Sequence, residues 1–177
     1  MTKYYTQYWS KNDGAREEQK QNLKGELLDH TSGNQFRGKW DVRPGDFVYI
    51  VTVSKGLLYL ISRIEVDQVC SREEAEKRLG RTDLYDAEYH LIAKPGTELP
   101  MQFNRKVSLA MTRQLRFLTP KGIIKPLVFS PSAGLDKQTL RGVRRLTPAS
   151  AFKLDGLIWW PNTENRTRLD RPSNHPP

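Results

Sequence analysis

The sequence predicts an α+β protein in which a barrel or curved sheet packs with short helices. Two neighbouring segments, 46–53 and 57–66, are apolar and rich in β-branched residues, as in the two strands of a hairpin. Helix signals follow at 71–80 and at 146–159. Together these signals indicate the α+β class.

A chain of 177 residues is long enough for one domain with a sizeable core. We expect one domain over residues 1–160, followed by an extended or mobile C-terminal tail over 161–177, which contains four prolines. No apolar run approaches the roughly 20 residues of a membrane helix, and the N-terminus has no apolar signal segment. A soluble, cytoplasmic protein without membrane contacts is therefore expected.

The first part of the chain is predicted to supply strands. Residues 3–9 are aromatic and favour a short strand. The polar stretch 10–25 is typical of a long loop or a frayed helix. Lys55 and Gly56 then form the tight connection of the hairpin between 46–53 and 57–66, the strongest hairpin signal in the sequence.

The second part mixes helices and strands. Segment 71–80 carries a capping box, Ser71 with Glu74, and ends at Gly80. A strand is predicted at 87–93, another at 125–130, and the pattern of 107–118 fits either a strand or a helix. Finally, Thr147 and Pro148 are typical of an N-cap and first helical position, which predicts a closing helix.

Metal and nucleophile chemistry finds little support in the sequence. The single Cys70 excludes an internal disulfide and a thiolate zinc cluster, and the three histidines have no metal-ligand spacing. We expect no cofactor and no metal. The remaining enzymatic alternative is a nucleic-acid-modifying enzyme that uses Asp46, His90 or Cys70.

The positive charge is concentrated in one part of the chain. The net charge is +9, and segment 104–153 contains eleven Lys or Arg against one acid, Asp136. A phosphate-binding surface needs such segregation, because each neutralised phosphate releases a counterion. A solvated basic face that keeps the protein soluble is the alternative. The residues predicted to hold a nucleic-acid backbone are Arg105, Lys106, Arg113, Arg116, Arg141, Arg144 and Arg145.

Aromatic and amide residues near the N-terminus are candidates for a base pocket. Trp9 ends the first predicted strand, and Phe36 and Trp40 flank Gly38. The hydrogen-bonding side chains of Ser32, Asn34 and Gln35 lie between them in sequence. An extruded base is held in this way, stacked on aromatic faces and read along its edge by amides or hydroxyls. Core packing and turn formation are the structural alternatives.

Four segments resemble the EVE domain and its relatives in the PUA-like superfamily, which include the YTH domains. They are YYTQYW at 4–9, SGNQFRGKWDVRPGDFVYIV at 32–51, KGLLYLISRIEV at 55–66 and TLRGVRRLTPASAFKLDGLI at 139–158. The similarity spans residues 4–158, and no nuclease motif accompanies it.

This resemblance to a standalone bacterial EVE-like protein implies a small, curved, mostly antiparallel β-barrel flanked by short helices. It also implies a non-enzymatic module that reads DNA or RNA through a pocket for a flipped base, modified or unmodified. Carried over by position, the pocket draws on Trp9, the 32–36 segment and Trp40, with Tyr85 in place of a third tryptophan. The alternative is an adaptor whose basic face meets a separate nuclease. The sequence leaves open whether the ligand is DNA or RNA.

Overall fold

The computed structural model describes residues 1–10, 27–82 and 84–159. The strands of this part of the chain are β1 (Tyr4–Tyr8), β2 (Leu27–Leu28), β3 (His30–Ser32), β4 (Phe47–Ser54), β5 (Leu57–Cys70), β6 (His90–Ala93), β7 (Leu99–Pro100), β8 (Arg116–Leu118), β9 (Ile124–Pro126), β10 (Phe129–Ser130), β11 (Gly134–Leu135) and β12 (Val143–Leu146). The helices are α1 (Arg72–Leu79), α2 (Leu109–Gln114) and α3 (Pro148–Trp159), with a 3-10 helix at Lys137–Leu140. Of the loop or frayed helix predicted over 10–25, residues 11–25 lie outside the described residues, as does the predicted tail over 161–177.

Eight strands form one mostly antiparallel sheet, in the order β3-β6-β5-β4-β1-β12-β8-β9. The strand pair β1 and β4 is parallel, with Tyr4 opposite Phe47, and the other neighbours are antiparallel. The expected closed barrel is wrong: the sheet is open within the described residues. Closure would require the two edge strands, β3 and β9, to pair, and each of them has one neighbouring strand.

Both faces of the central strands are buried, which explains their near-continuous apolar sequence. Along β4, Val48 and Ile50 belong to one core cluster, and Tyr49 and Val51 belong to the other. This division follows the alternation of side chains along a strand. Trp9 packs in the first cluster, so the end of β1 is anchored in the core.

The predicted hairpin is confirmed, and its second strand continues to Cys70. Lys55 and Gly56 both have positive φ, 50° and 71°, as the two central residues of a type I′ turn require. A Cβ on Gly56 would lie 2.2 Å from the carbonyl oxygen of Ala133. Glycine is therefore required there by close backbone approach as well as by φ.

The two helices predicted from capping signals are confirmed. Ser71 accepts a hydrogen bond from the Glu74 amide, and the Glu74 side chain accepts one from the Ser71 amide. At the start of α3, Thr147 Oγ1 accepts from the Ser150 amide at 3.3 Å, and Leu154 inserts into the second core cluster. No helix of the described residues is long and apolar enough to span a membrane.

Two segments between these helices are more broken than the sequence suggested. The ambiguous stretch 107–118 is helical over α2 and then extended over β8. The strand predicted at 125–130 is interrupted: β9 ends at Pro126, Leu127 turns into the core, and Phe129 starts β10. Strand β10 pairs with β11 outside the main sheet, which is why the segment does not form one strand.

Candidate functional site

A cleft of about 330 Å³ opens where β1 ends, between β3 and the 3-10 helix. Its lining mixes aromatic, amide, hydroxyl and cationic side chains. These residues are Gln7, Tyr8, Trp9, Ser10, Ser32, Tyr85, Lys137, Gln138, Arg141 and Gly142. The volume lies near the lower end of the roughly 300–1,000 Å³ range of small-molecule sites, so one planar group of nucleobase size fits the space.

Hydrogen bonds between β1 and β3 fix the floor of the cleft. The Gln7 side-chain nitrogen donates to the Ser32 carbonyl oxygen at 2.6 Å, and the Thr31 hydroxyl donates to the Gln7 side-chain oxygen at 2.7 Å. Thr31 Oγ1 also accepts from Trp9 Nε1 at 3.3 Å. All of these side chains are buried. Because the polar groups of the floor are hydrogen-bonded to one another, the floor is rigid before a ligand binds.

The electrostatic character of the cleft is positive. Lys137 and Arg141 line it, and both are exposed. No carboxylate is among the described lining residues. Asp136, the acidic residue next to Lys137 in sequence, accepts a hydrogen bond from the Gln138 amide at 2.9 Å and so caps the 3-10 helix. A ligand in the cleft therefore meets cations that no lining acid neutralises.

Gly142 shapes one wall of the cleft. It has φ +72°, and a Cβ there would lie 2.4 Å from Gln35 Oε1. That oxygen accepts a hydrogen bond from the Val143 amide at 3.1 Å. Gln35 thus supports the wall from behind and is not itself a lining residue.

Three of the seven residues predicted for the base pocket line this cleft: Trp9, Ser32 and Tyr85. The other four do not. Asn34 is exposed, and its side-chain oxygen accepts from the Glu88 amide at 2.8 Å, which is turn chemistry. Phe36 is fully buried in the first core cluster. Trp40 packs in that cluster and lines a different groove.

The burial of the tryptophan changes the expected role of the aromatics. Trp9 is 1% exposed, because its indole N–H is bonded to Thr31 and its ring packs in the core. Tyr85 is 36% exposed. The accessible aromatic ring of the cleft is therefore that of Tyr85, and Trp9 contributes a buried wall.

The sequence does not single out five of the lining side chains, which are Gln7, Tyr8, Ser10, Lys137 and Gln138. Gln7 and Tyr8 lie in β1, just before Trp9, so the alternation of side chains along an extended chain could have indicated Gln7 as a neighbour of Trp9 on the same face. The signal for Lys137 and Gln138 is weaker. Asp136 is a good cap residue, but nothing local places the helix that it starts beside β1.

The cations of segment 104–153 are free of carboxylate partners within the described residues. In the rest of the described chain, six cations form ion pairs with Asp or Glu: Arg43, Arg63, Arg72, Arg78, Arg81 and Lys94. None of the eleven in segment 104–153 does so. The positive charge that the sequence concentrates in this segment is therefore not cancelled by the fold.

The seven predicted backbone-binding residues differ in setting. Arg141 lines the cleft, and Arg144 lines the separate groove with Trp40. The Arg116 guanidinium donates to the carbonyl oxygens of Arg113 and Leu115, and the Arg113 guanidinium lies 5.6 Å from the Phe129 ring centroid. Burial lowers the pKa of Arg105. Lys106 is exposed and Arg145 half-buried. The structure brings one of the seven, Arg141, to the cleft.

Asp46, His90 and Cys70, the residues of the enzymatic alternative, are buried, and their surroundings are those of structural residues. The Asp46 carboxylate accepts from the Lys3 and Arg43 amides at 2.8 and 3.0 Å and so ties the chain start to the turn before β4. Burial raises the pKa of the Cys70 thiol and, with the nearby His30, lowers the pKa of His90. No group of three or more His, Cys, Asp or Glu side chains with metal-binding geometry occurs in the described residues.

Fold and site define an α+β protein whose open, mostly antiparallel sheet carries a small cationic cleft at one strand end. Comparisons of the chain with protein-family models, curated proteins and solved structures found no match.

Proposed function

We propose that this protein is a non-enzymatic nucleic-acid-binding module with an EVE-like fold of the PUA-like superfamily. The cleft accepts an extruded base, and the unpaired cations of segment 104–153 hold the phosphates. The observation that carries the proposal is the lining of the cleft, where an exposed aromatic ring, polar side chains and two unneutralised cations surround a space large enough for one nucleobase.

Each part of the lining has a use in base recognition. The Tyr85 ring offers a stacking face, since base–aromatic stacking contributes about 1–3 kcal/mol per base. The exposed amide of Gln138 can donate and accept along a base edge. The side chains of the floor are already hydrogen-bonded to one another, so the floor keeps its shape when a base enters.

The cations supply affinity without sequence preference. Lys137 and Arg141 lie at the cleft itself, where a phosphate adjoining the extruded base would be held. Each phosphate contact releases counterions, so the binding constant falls as salt rises. The absence of carboxylate partners among the described residues supports this role, because a cation already paired with Asp or Glu has less to gain from a phosphate.

The test is fluorescence anisotropy of labelled single- and double-stranded DNA and RNA with three variants. Tyr85→Ala should weaken binding about fivefold or more, from the lost stacking energy of about 1–3 kcal/mol. Arg141→Gln should weaken binding to all sequences and lower the salt slope by about one. Lys94→Gln is the matched control, an exposed lysine paired with Glu65 outside the segment, and should change neither.

Three outcomes would contradict the proposal. They are failure of the wild-type protein to bind any oligonucleotide at low salt, equal losses in Arg141→Gln and Lys94→Gln, and turnover of a bound oligonucleotide. The last result would move the protein to the modifying enzymes. Recovery of a nuclease but no oligonucleotide from a pull-down would favour the adaptor.

A further inference from the structure

A second groove of about 290 Å³ lies beyond the cleft. Its walls are mainly apolar and include the buried rings of Trp40 and Phe117 and the side chain of Leu127. Lys125 and Arg144 also line it, and neither forms an ion pair within the described residues. No acidic side chain is among its described lining residues.

Two nitrogen donors of the groove's side chains have no hydrogen-bond acceptor among the residues that the structure describes. They are Nε1 of Trp40, a residue that is 6% exposed, and Nε of Arg144. Buried donors are nearly always satisfied in folded proteins, because an unpaired one costs free energy. Two such donors beside one groove favour an occupant with acceptor oxygens or nitrogens, and the two cations favour an occupant that is negatively charged.

The groove and the cleft share the same two segments of the chain. In the 3-10 helix, Gln138 lines the cleft and Thr139 lines the groove. Further along the chain, Gly142, just before β12, lines the cleft, and Arg144, in β12, lines the groove. The cleft and the groove have no lining residue in common, so two neighbouring bases that enter them are not stacked on each other.

We infer that the groove is a second nucleotide subsite, so that the ligand is a single-stranded segment with at least two adjacent unstacked nucleotides. This inference rests on the proposed function of the cleft. The base in the groove lies against the apolar walls, beside the ring of Trp40. The phosphate between the two nucleotides is held from opposite ends by Arg141 and Arg144.

The experiment compares a nucleoside monophosphate with a trinucleotide of the same base, by calorimetry on the full chain. The trinucleotide should bind at least tenfold more tightly to the wild-type protein. Arg144→Gln and Trp40→Phe should remove most of that gain and leave mononucleotide affinity within twofold. Trp40→Phe keeps an aromatic ring and removes only the unpaired donor and part of the volume. If it unfolds, Arg144→Gln alone carries the test.

Two controls separate the possible failures. Arg141→Gln should weaken binding of both ligands. Lys94→Gln, at a lysine that is paired with Glu65 and lines neither site, should leave the ratio of the two affinities unchanged. A wild-type protein that binds both ligands equally would overturn the second subsite and leave the proposed function standing. No binding of either, with no binding of longer strands, would overturn both. Tight binding of a polyglutamate peptide that needs Arg144 and that the trinucleotide does not displace would assign the groove to an acidic protein segment and overturn the inference.

Discussion

Gly142 links the stability of the fold to the shape of the cleft, and its replacement by alanine tests that link. The residue has φ +72°, a conformation that costs a non-glycine residue about 1–2 kcal/mol. The added Cβ would also lie 2.4 Å from Gln35 Oε1. The Gln35 side chain must then move, and its Oε1 loses the hydrogen bond that it accepts from the Val143 amide at 3.1 Å.

The second effect is larger than the first because Val143 is buried. A buried N–H that loses its acceptor costs about 1–3 kcal/mol, so Gly142→Ala should lower the free energy of unfolding by about 2–5 kcal/mol in all. Gly96→Ala is the matched control. It has a similar φ of +81° but no atom within 4 Å of the added Cβ, and it should cost only about 1–2 kcal/mol.

Urea denaturation of both variants measures these values. The double variant Gln35→Ala with Gly142→Ala should cost no more than about 1–2 kcal/mol beyond Gln35→Ala alone, because the clash and the hydrogen bond are already gone. Equal losses in Gly142→Ala and Gly96→Ala would refute the account of the wall. So would full additivity of Gln35→Ala and Gly142→Ala.

Three further predictions concern the scaffold. Burial lowers the pKa of His90, so the unfolded chain binds more protons than the folded chain below the unfolded pKa of about 6.5. Stability should therefore fall as pH falls below that value, and His90→Leu should show a shallower decline in urea titrations at successive pH values; an unchanged slope would contradict this. Ser71→Ala removes the cap of α1 and should cost about 0.5–2 kcal/mol by thermal unfolding, with Ser132→Ala, which is exposed, as a near-silent control. In Asp46→Asn, an NH₂ group replaces one of the two carboxylate oxygens that accept from the Lys3 and Arg43 amides. One amide then loses its acceptor, so the free energy of unfolding should fall by about 1–3 kcal/mol. No loss in chemical denaturation would show that these bonds contribute little.

The elements governed by local rules could be predicted from the sequence. The capping box at Ser71, the cap at Thr147 and the Lys55–Gly56 turn each depend on a few adjacent residues, and the structure contains all three. The interrupted segment after Pro126 could not be predicted, because its break depends on where Leu127 finds core space. Likewise, the parallel pairing of β1 with β4 joins segments about forty residues apart and has no local signal.

The candidate site shows the same division. Trp9, Ser32 and Tyr85 were predicted for one pocket and line one cleft. The same sequence pattern predicts Phe36 and Trp40 for that pocket, but both rings are apolar and are buried in the core. The contribution of Lys137 depends on a 3-10 helix that long-range folding places beside β1. A sequence pattern can therefore nominate aromatic and basic residues, whereas their convergence is a property of the sheet.

The central claim is that the unpaired cations and the cleft bind nucleic acid, and wild-type affinity as a function of salt tests it most directly. Anisotropy should be measured for single- and double-stranded DNA and RNA, unmodified and base-methylated, between about 50 and 200 mM salt. The account predicts binding whose logarithm falls linearly with the logarithm of salt, with single strands preferred. A tenfold preference for one modified base, about 1.4 kcal/mol, would identify the base that the cleft reads. Absence of binding to every strand at the lowest salt would contradict the account.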